Sequence, residues 1–151
     1  MFKNTPFHIL MIEDNPGDIR LTREVLSDAT IPNNLWAVKD GEEALQFLSQ
    51  THEFINAPRP DLILLDLNLP RMSGLDILEN IKSDENLRTI PVVILTTSQS
   101  EQDILSGYQR FANAYITKPV SLDQFNRIIQ AVESFWLDTA RLPPSPDCYM
   151  I

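Results

Sequence analysis

This sequence is short of cysteine, short of positive charge and without long apolar runs. Its 151 residues include one cysteine, Cys148. A lone cysteine closes no disulfide within the chain and offers one ligand where a tetrahedral metal site needs four. Twelve lysines and arginines face 21 acidic residues, a formal net charge of −9. That balance argues against direct contact with nucleic acid, which requires a basic face. No apolar stretch approaches the roughly 20 residues of a membrane-spanning helix, so no membrane association is expected. Met1 to Pro6 has neither the charged nor the apolar region of a signal peptide, and the expected location is the cytoplasm. Histidines number two. His8 lies inside an apolar run, which suits packing or an exposed edge better than catalysis. His52 has no second metal-type residue at ligand spacing and reads as a surface residue. Neither internal repeats nor low-complexity segments are evident. With 43% hydrophobic residues, a chain of this length can bury one real core as a single domain.

What is present is organised around Asp61-Leu62-Ile63-Leu64-Leu65-Asp66-Leu67-Asn68-Leu69-Pro70. Four apolar residues between turn signals read as a strand buried on both faces of a parallel sheet. Pro60 opens the run and Pro70 closes it, because proline cannot continue a central strand. Asp66 therefore stands at the carboxyl end of a buried strand, the edge where open α/β sheets bind ligands. Taken alone, a strand-end aspartate is more often a turn residue or a helix cap, and the rest of the chain has to decide.

The rest of the chain alternates strands with helices. Phe7 to Ile12 is a first strand, followed by Glu13-Asp14 and then Asn15-Pro16, an N-cap with proline at the first helical position. The spacing of Leu21, Val25 and Leu26 predicts a helix from Pro16 to Asp28. Leu35 to Val38 is a second strand, with Trp36 as core or edge packing, and Asp40-Gly41 leads into a helix over Glu42 to Leu48. Thr51 to Arg59 is a polar connection. After Asp66, a loop through Met72 and Gly74 leads into a helix carrying Leu75, Ile77, Leu78 and Ile81. Pro91 to Leu95 is a fourth strand ending in Thr96-Thr97-Ser98. Ile104, Leu105 and Tyr108 mark a weakly amphipathic helix, and Ala114 to Thr117 a fifth strand ending at Lys118-Pro119. Ser121 to Gln124 has the form of a capping box, and Phe125, Ile128, Ile129, Val132 and Trp136 share one face of the last helix. Five strands alternating with five helices predict a doubly wound α/β fold, a five-stranded parallel sheet with helices on both faces.

Four of the five strands end in a reactive or ligating side chain: Glu13 and Asp14, Asp66, Thr96, and Lys118. In a parallel sheet these ends share one edge. Three carboxylates brought together must protonate or recruit a cation, and a hard cation with oxygen ligands, Mg²⁺, is the natural solution. A lysine and a hydroxyl beside them complete a site for a phosphoryl group.

With these residues the chain resembles the receiver domains of two-component response regulators. The resemblance runs from Phe7 to about Ser134 and rests on Glu13-Asp14, Asp66 in LLDLNLP, Met72-x-Gly74, Thr96 and Lys118-Pro119. It implies a flavodoxin-like (βα)5 fold with strand order 2-1-3-4-5, an order taken from the resemblance. It implies that Asp66 accepts a phosphoryl group from a sensor histidine kinase. Glu13 and Asp14 hold Mg²⁺ with Asp66 and the backbone carbonyl of Asn68. Lys118 pairs with Asp66 and then with a phosphoryl oxygen, Thr96 bonds another, and Tyr115 moves with Thr96 as an aromatic switch. A cis Lys118–Pro119 bond is expected on the same ground. Such a protein is a phosphoacceptor with self-catalysed transfer and slow autodephosphorylation, not a turnover enzyme. One departure is Thr97, where the family usually has a small residue; its β-branched side chain would restrict access to the pocket mouth. The segment ending Ala57-Pro58-Arg59-Pro60 and the tail Glu133 to Leu137, leading to Leu142-Pro143-Pro144, resemble the single-domain regulators that partner bacterial phytochrome histidine kinases.

Two other readings compete. A haloacid-dehalogenase-type phosphatase also uses a strand-end aspartate with Mg²⁺, but wants a second acid two residues on, where this chain has Asn68, and places its acid pair late. A receiver-shaped binding module that is never phosphorylated usually lacks an acid or the lysine, and none is missing here. The expected division is a tail over 1–6, the receiver over 7–134 and an arm over 135–151, with no room for an output domain. Output would therefore be protein–protein contact. The apolar stripe of the last helix continues through Phe135, Trp136, Leu137 and Leu142, and the prolines at 143, 144 and 146 favour an extended chain beyond it. A homodimer covering those residues is expected; the other reading has the segment folding back onto its own domain.

Overall fold

The computed structural model describes residues 5–145. Cys148, Pro146 and most of the N-terminal tail lie outside the described residues. Five strands form one parallel sheet: β1 (Phe7–Ile12), β2 (Asn33–Val38), β3 (Leu62–Leu65), β4 (Val92–Thr96) and β5 (Ala114–Thr117), in the order β2-β1-β3-β4-β5. The helices between and after them are α1 (Pro16–Ser27), α2 (Gly41–Ser49), α3 (Gly74–Ser83), α4 (Glu101–Gln109) and α5 (Leu122–Glu133). A single 3-10 turn, His52–Phe54, interrupts the connection after α2. The predicted elements are all present; β2 starts two residues earlier than its apolar core suggests, and β4 extends through Thr96.

Alternation along the buried strands divides the core in two, since successive side chains point to opposite faces. Leu10, Ile12, Ile63, Leu65, Val92 and Ile94 pack with Phe47 of α2 and Ile77, Leu78 and Ile81 of α3. Ile9, Met11, Leu62, Leu64, Val93 and Leu95 pack with Leu26 of α1 and Phe125, Ile129 and Val132 of α5. Both faces are thus covered, which explains why β3 reads as an unbroken apolar run. Each α-helix begins on a side-chain cap. Asn15 Oδ1 accepts from the N–H groups of Gly17 and Asp18, and Asp40, Ser73, Ser100 and Ser121 cap the other four. On the β2 edge, Trp36 is partly exposed, donates to His8 Nδ1 at 3.3 Å and packs on Phe47.

The C-terminal segment departs from the expectation. After α5 the chain makes a π-helical turn over Ser134–Thr139, closed by Ala140 N–H donating to Phe135 O. The wider turn changes the phase of the stripe. The residue buried after Val132 is Leu137, five positions on, at 4% exposure, while Phe135 is 52% exposed. Trp136 and Leu142 pack partly against the α1–α5 side of the core. The uncovered surface expected over 135–137 therefore shrinks to Phe135, and Leu137 is not available as an interface residue in this arrangement. The Lys118–Pro119 peptide is also corrected: no cis bond occurs among the described residues. Trans is the lower-energy isomer by about 0.5–1 kcal/mol even before proline, and the trans chain already brings the lysine into the site.

Candidate functional site

The order β2-β1-β3 reverses direction at β1, so a crevice opens at the carboxyl ends of β1 and β3. Ile12 pairs with Leu65 across those strands. The next residue on each, Glu13 and Asp66, therefore flank the crevice directly. The backbone fixes both: Glu13 N–H donates to Val38 O at 2.9 Å and Asp66 N–H to Ile12 O at 3.0 Å. On the other side, Thr96 pairs with Thr117, and Lys118 N–H donates to Thr96 O at 2.7 Å, so Lys118 leaves β5 aimed at the same edge.

Glu13, Asp66, Thr96 and Lys118 are buried, while Asp14 and Asn68 are exposed. Lys118 Nζ lies 2.5 Å from Glu13 Oε2, 2.8 Å from Asp18 Oδ2 and 3.1 Å from Asp66 Oδ2. Asp66 Oδ1 accepts the Asn68 N–H at 3.1 Å, and the Asn68 side-chain amide donates to Thr96 Oγ1 at 3.4 Å. Tyr115, half-buried on β5, donates its hydroxyl to Ser98 O at 3.0 Å, and its own N–H donates to Tyr108 Oη at 3.2 Å. Thr97 is exposed beside Thr96.

Electrostatics separate the two buried carboxylates. Burial pushes Glu13 up to about 7, against the hydrogen bond and charge of Lys118 and helped by the charge of Asp66. Burial acts the same way on Asp66, but there the Asn68 N–H, the Lys118 charge and the Thr96 hydroxyl prevail and hold it below the usual carboxylate range. Of the two, Asp66 is thus the carboxylate that ionises more readily. Burial disfavours the Lys118 ammonium, yet its bonds to Asp18 and Glu13 and the charges of Glu13 and Asp66 raise its pKa above the ordinary lysine value. Burial also raises Tyr115, so its hydroxyl stays a donor.

Carboxylate oxygens of Glu13, Asp14 and Asp66 come within 4.8 Å of one another, the one such acidic cluster among the described residues. The donor set is all oxygen, two of the three groups are buried, and a single lysine cannot neutralise them, which fits a hard divalent cation.

Glu13, Asp14, Asp66, Asn68, Thr96 and Lys118 come together at this edge. Tyr115 stands beside it with its hydroxyl on Ser98 O. The residues expected as an interface, Phe135, Trp136, Leu137 and Leu142, lie apart, in the segment after α5. One contributor was not legible from spacing: Asp18, in the first turn of α1, reaches Lys118, and its one sequence trace is that it stands four residues after Asp14. Gly74, named in the sequence only as part of the resemblance, also has a physical role. A Cβ there would sit 2.3 Å from Asp66 O and 2.6 Å from Leu67 Cα. The start of α3 thus packs directly on the backbone of the aspartate, which explains the Met72-x-Gly74 spacing in steric terms.

Comparison with known proteins agrees with this geometry. The family profile of the response regulator receiver domain matches residues 9–132. Response regulator Rcp1 of Synechocystis sp. is 46% identical over 140 residues, covering 93% of this chain and 95% of that protein. The crystal structure of the phosphorylated cyanobacterial phytochrome response regulator RcpA superposes with a TM-score of 0.90 at 48% identity, covering 93% of this chain and all of that one (100%). The Mn²⁺-bound form of Rcp1 gives a TM-score of 0.89 at 46% identity over 92% of this chain and 100% of that one.

Proposed function

This chain belongs to the response regulator receiver domain family, and from that membership we propose that Asp66 accepts a phosphoryl group from a phytochrome-type sensor histidine kinase in the cytoplasm. The observation that carries the reading is the contact of Lys118 Nζ with Asp66 and Glu13 at the crevice between β1 and β3. Among relatives, RcpA is described as a phytochrome response regulator, which supports the choice of kinase class.

In the reaction, the P–N bond of the kinase phosphohistidine breaks as a P–O bond forms to an Asp66 oxygen. The imidazole leaves with the electron pair and takes a proton from solvent. Asp66 meets the need for an ionised nucleophile because Asn68, Lys118 and Thr96 stabilise its charge. Lys118 supplies N–H donors and positive charge to a phosphoryl oxygen, and Thr96 Oγ1 a further donor. Glu13, Asp14 and Asp66, with the carbonyl of Asn68, are the groups that would hold Mg²⁺; when bound it neutralises charge on the transferring phosphoryl group. Hydrolysis of the acyl phosphate returns Asp66, so the protein is a phosphoacceptor with slow self-dephosphorylation.

The readout follows from new charge at Asp66. Thr96 is drawn to the phosphoryl group, and Tyr115, bonded to Ser98 in the β4–α4 loop, follows it. Gly107 of α4 leaves room beside that ring: a Cβ there would lie 2.8 Å from Ile94 Cδ1 and 3.4 Å from Tyr115 Cδ2. With a net charge of −9 the output is protein–protein contact and not nucleic-acid binding. A homodimer through the C-terminal segment is part of this proposal, its contact carried by Phe135, which stands exposed and edge-on to Trp136 with ring centroids 5.1 Å apart. Light scattering on Phe135→Asp tests it: a monomer is expected from the variant and a dimer from the parent. If the parent were itself a monomer, the dimer would be wrong.

Asp66→Asn tests the central step. It should take no label from kinase or acetyl phosphate in the presence of Mg²⁺. Full labelling of that variant would place the acceptor elsewhere.

A further inference from the structure

Lys118 has three N–H donors, and all three point to carboxylates: Glu13 at 2.5 Å, Asp18 at 2.8 Å and Asp66 at 3.1 Å. Glu13 and Asp66 already have roles at the site. Asp18 has none, yet it holds the ammonium more closely than the phosphoacceptor does. Its side chain is 22% exposed, against 2% for Glu13 and 8% for Asp66, so it forms the rim of the pocket on the α1 side. Building α1 does not require that side chain. The Asp18 N–H is capped by Asn15 Oδ1 at 3.2 Å, and its backbone carbonyl accepts the Thr22 hydroxyl at 2.8 Å.

We propose that Asp18 is a positioning residue for Lys118: it holds the ammonium on the α1 side of the pocket and so restrains phosphoryl capture at Asp66. The inference rests on the reading of Asp66 as the acceptor. Phosphorylation adds negative charge at Asp66 and oxygens that need N–H donors. A donor engaged by Asp18 is not serving the phosphoryl group. Asp18 also adds a fourth carboxylate to Glu13, Asp14 and Asp66, where one ammonium is the only cation within salt-bridge distance of Glu13, Asp18 and Asp66 among the described residues. Removing its charge while keeping its shape loosens the hold on one donor, since an amide oxygen accepts more weakly than a carboxylate, and lowers the repulsion that the incoming group meets. With acetyl phosphate as donor, the P–O bond to acetate breaks as the P–O bond to Asp66 forms. Acetate leaves with the electron pair and no proton need move, so the lysine's availability is read without a protonation step.

The test uses the full chain with Asp18→Asn and Asp18→Glu, acetyl phosphate and Mg²⁺. The phosphorylation rate is measured at low and at high salt, and the Lys118 Nζ resonance by ¹⁵N NMR. Asp18→Asn should react roughly fivefold faster, as expected for losing one charge-assisted hydrogen bond of a partly buried pair. The gain should persist at high salt, because a contact inside the pocket is poorly screened. The Lys118 resonance should shift, and Asp18→Glu should stay near the parent rate. An unchanged or slower rate in Asp18→Asn, an unmoved lysine resonance, or a gain abolished by salt would each overturn the proposal, the last by making Asp18 a mere repulsive charge at the rim. Asp18→Ser serves the same comparison should Asp18→Asn melt early. Asp66→Asn run in parallel keeps the two readings apart: label retained there sinks the Asp66 assignment, whereas unlabelled Asp66→Asn beside an unaccelerated Asp18→Asn sinks this one alone.

Discussion

Two lysines sit at opposite ends of the same sheet, and each gives three hydrogen bonds. Lys118, at the carboxyl end, gives them to Glu13, Asp18 and Asp66. Lys82, from α3 at the amino end, gives them to Arg88 O and Ile90 O, each at 2.9 Å, and to Asn113 Oδ1 at 3.1 Å. The number of bonds is equal; the charge of the acceptors is not. Burial works against both ammonium groups, and only carboxylates overcome it. Lys118 is raised above the ordinary lysine value, while Lys82 is lowered to about 8. Lys82 is a staple joining the end of α3 to the starts of β4 and β5; Asn113 Oδ1 also accepts the Val92 N–H at 2.8 Å. Lys118 is part of a charge system at the crevice between β1 and β3. Hydrogen-bond count does not separate the two lysines, whereas the charge of their surroundings does.

The widest separation between the two should come from deleting each. Lys118→Met leaves Glu13 and Asp66 buried without their cation, and phosphorylation by acetyl phosphate should fall by about a hundredfold, the usual scale for losing one preorganised donor to a transition state. Lys82→Met should leave that rate within about twofold, since Lys82 has no part in the transferring charge. Equal losses in both would erase the distinction.

Gly74→Ala should act next most strongly, and only at the carboxyl end. The new Cβ would meet Asp66 O and Leu67 Cα, backbone atoms that cannot yield without moving the aspartate. Destabilisation of about 1–3 kcal/mol is expected by chemical denaturation, with a slowed phosphorylation rate. A variant of parental stability and rate would show that α3 does not set the position of Asp66.

The pH profile distinguishes the lysines more gently. Because the folded value for Lys82 lies near 8 and the reference value is 10.5, the unfolded chain holds more protons between them. Stability should therefore rise with pH across that window. The Lys118 value is displaced the other way, so its contribution is kept through the neutral range and lost only at strongly alkaline pH. Denaturation from about pH 7 to 10 should show a positive slope that Lys82→Met removes. A slope surviving in that variant would assign it to another group. Thr97→Ala should have the smallest effect, a phosphorylation rate about two- to threefold faster, if the exposed β-branched side chain restricts the mouth of the pocket.

Much of this arrangement was legible in the residues, for physical reasons that also mark its limits. Leu62 to Leu65 announced a doubly covered strand because both faces of β3 are packed. Parallel strands then forced Glu13, Asp66, Thr96 and Lys118 onto one edge, whatever their separation in sequence. Asp18 was not legible, because its reach to Lys118 depends on how α1 lies over the sheet, which spacing does not encode. The role of Lys82 was not legible either, since two of its three acceptors are backbone carbonyls that no side-chain pattern records. At the C-terminus a 3.6-residue period placed Trp136 on the buried face, where it packs partly, but did not record that the π-helical turn buries Leu137 and leaves Phe135 exposed. Periodicity carries a stripe only as far as the helix keeps its pitch.

The most direct test locates the phosphoryl group chemically. The protein is phosphorylated by a phytochrome-type kinase with ATP and Mg²⁺, reduced with borohydride, which converts an aspartyl phosphate to homoserine, and mapped by peptide mass spectrometry. Homoserine at position 66, and at no other aspartate, is the expected result. Conversion at Asp14 or Asp18, or a phosphorylated protein without conversion at Asp66, would contradict the account.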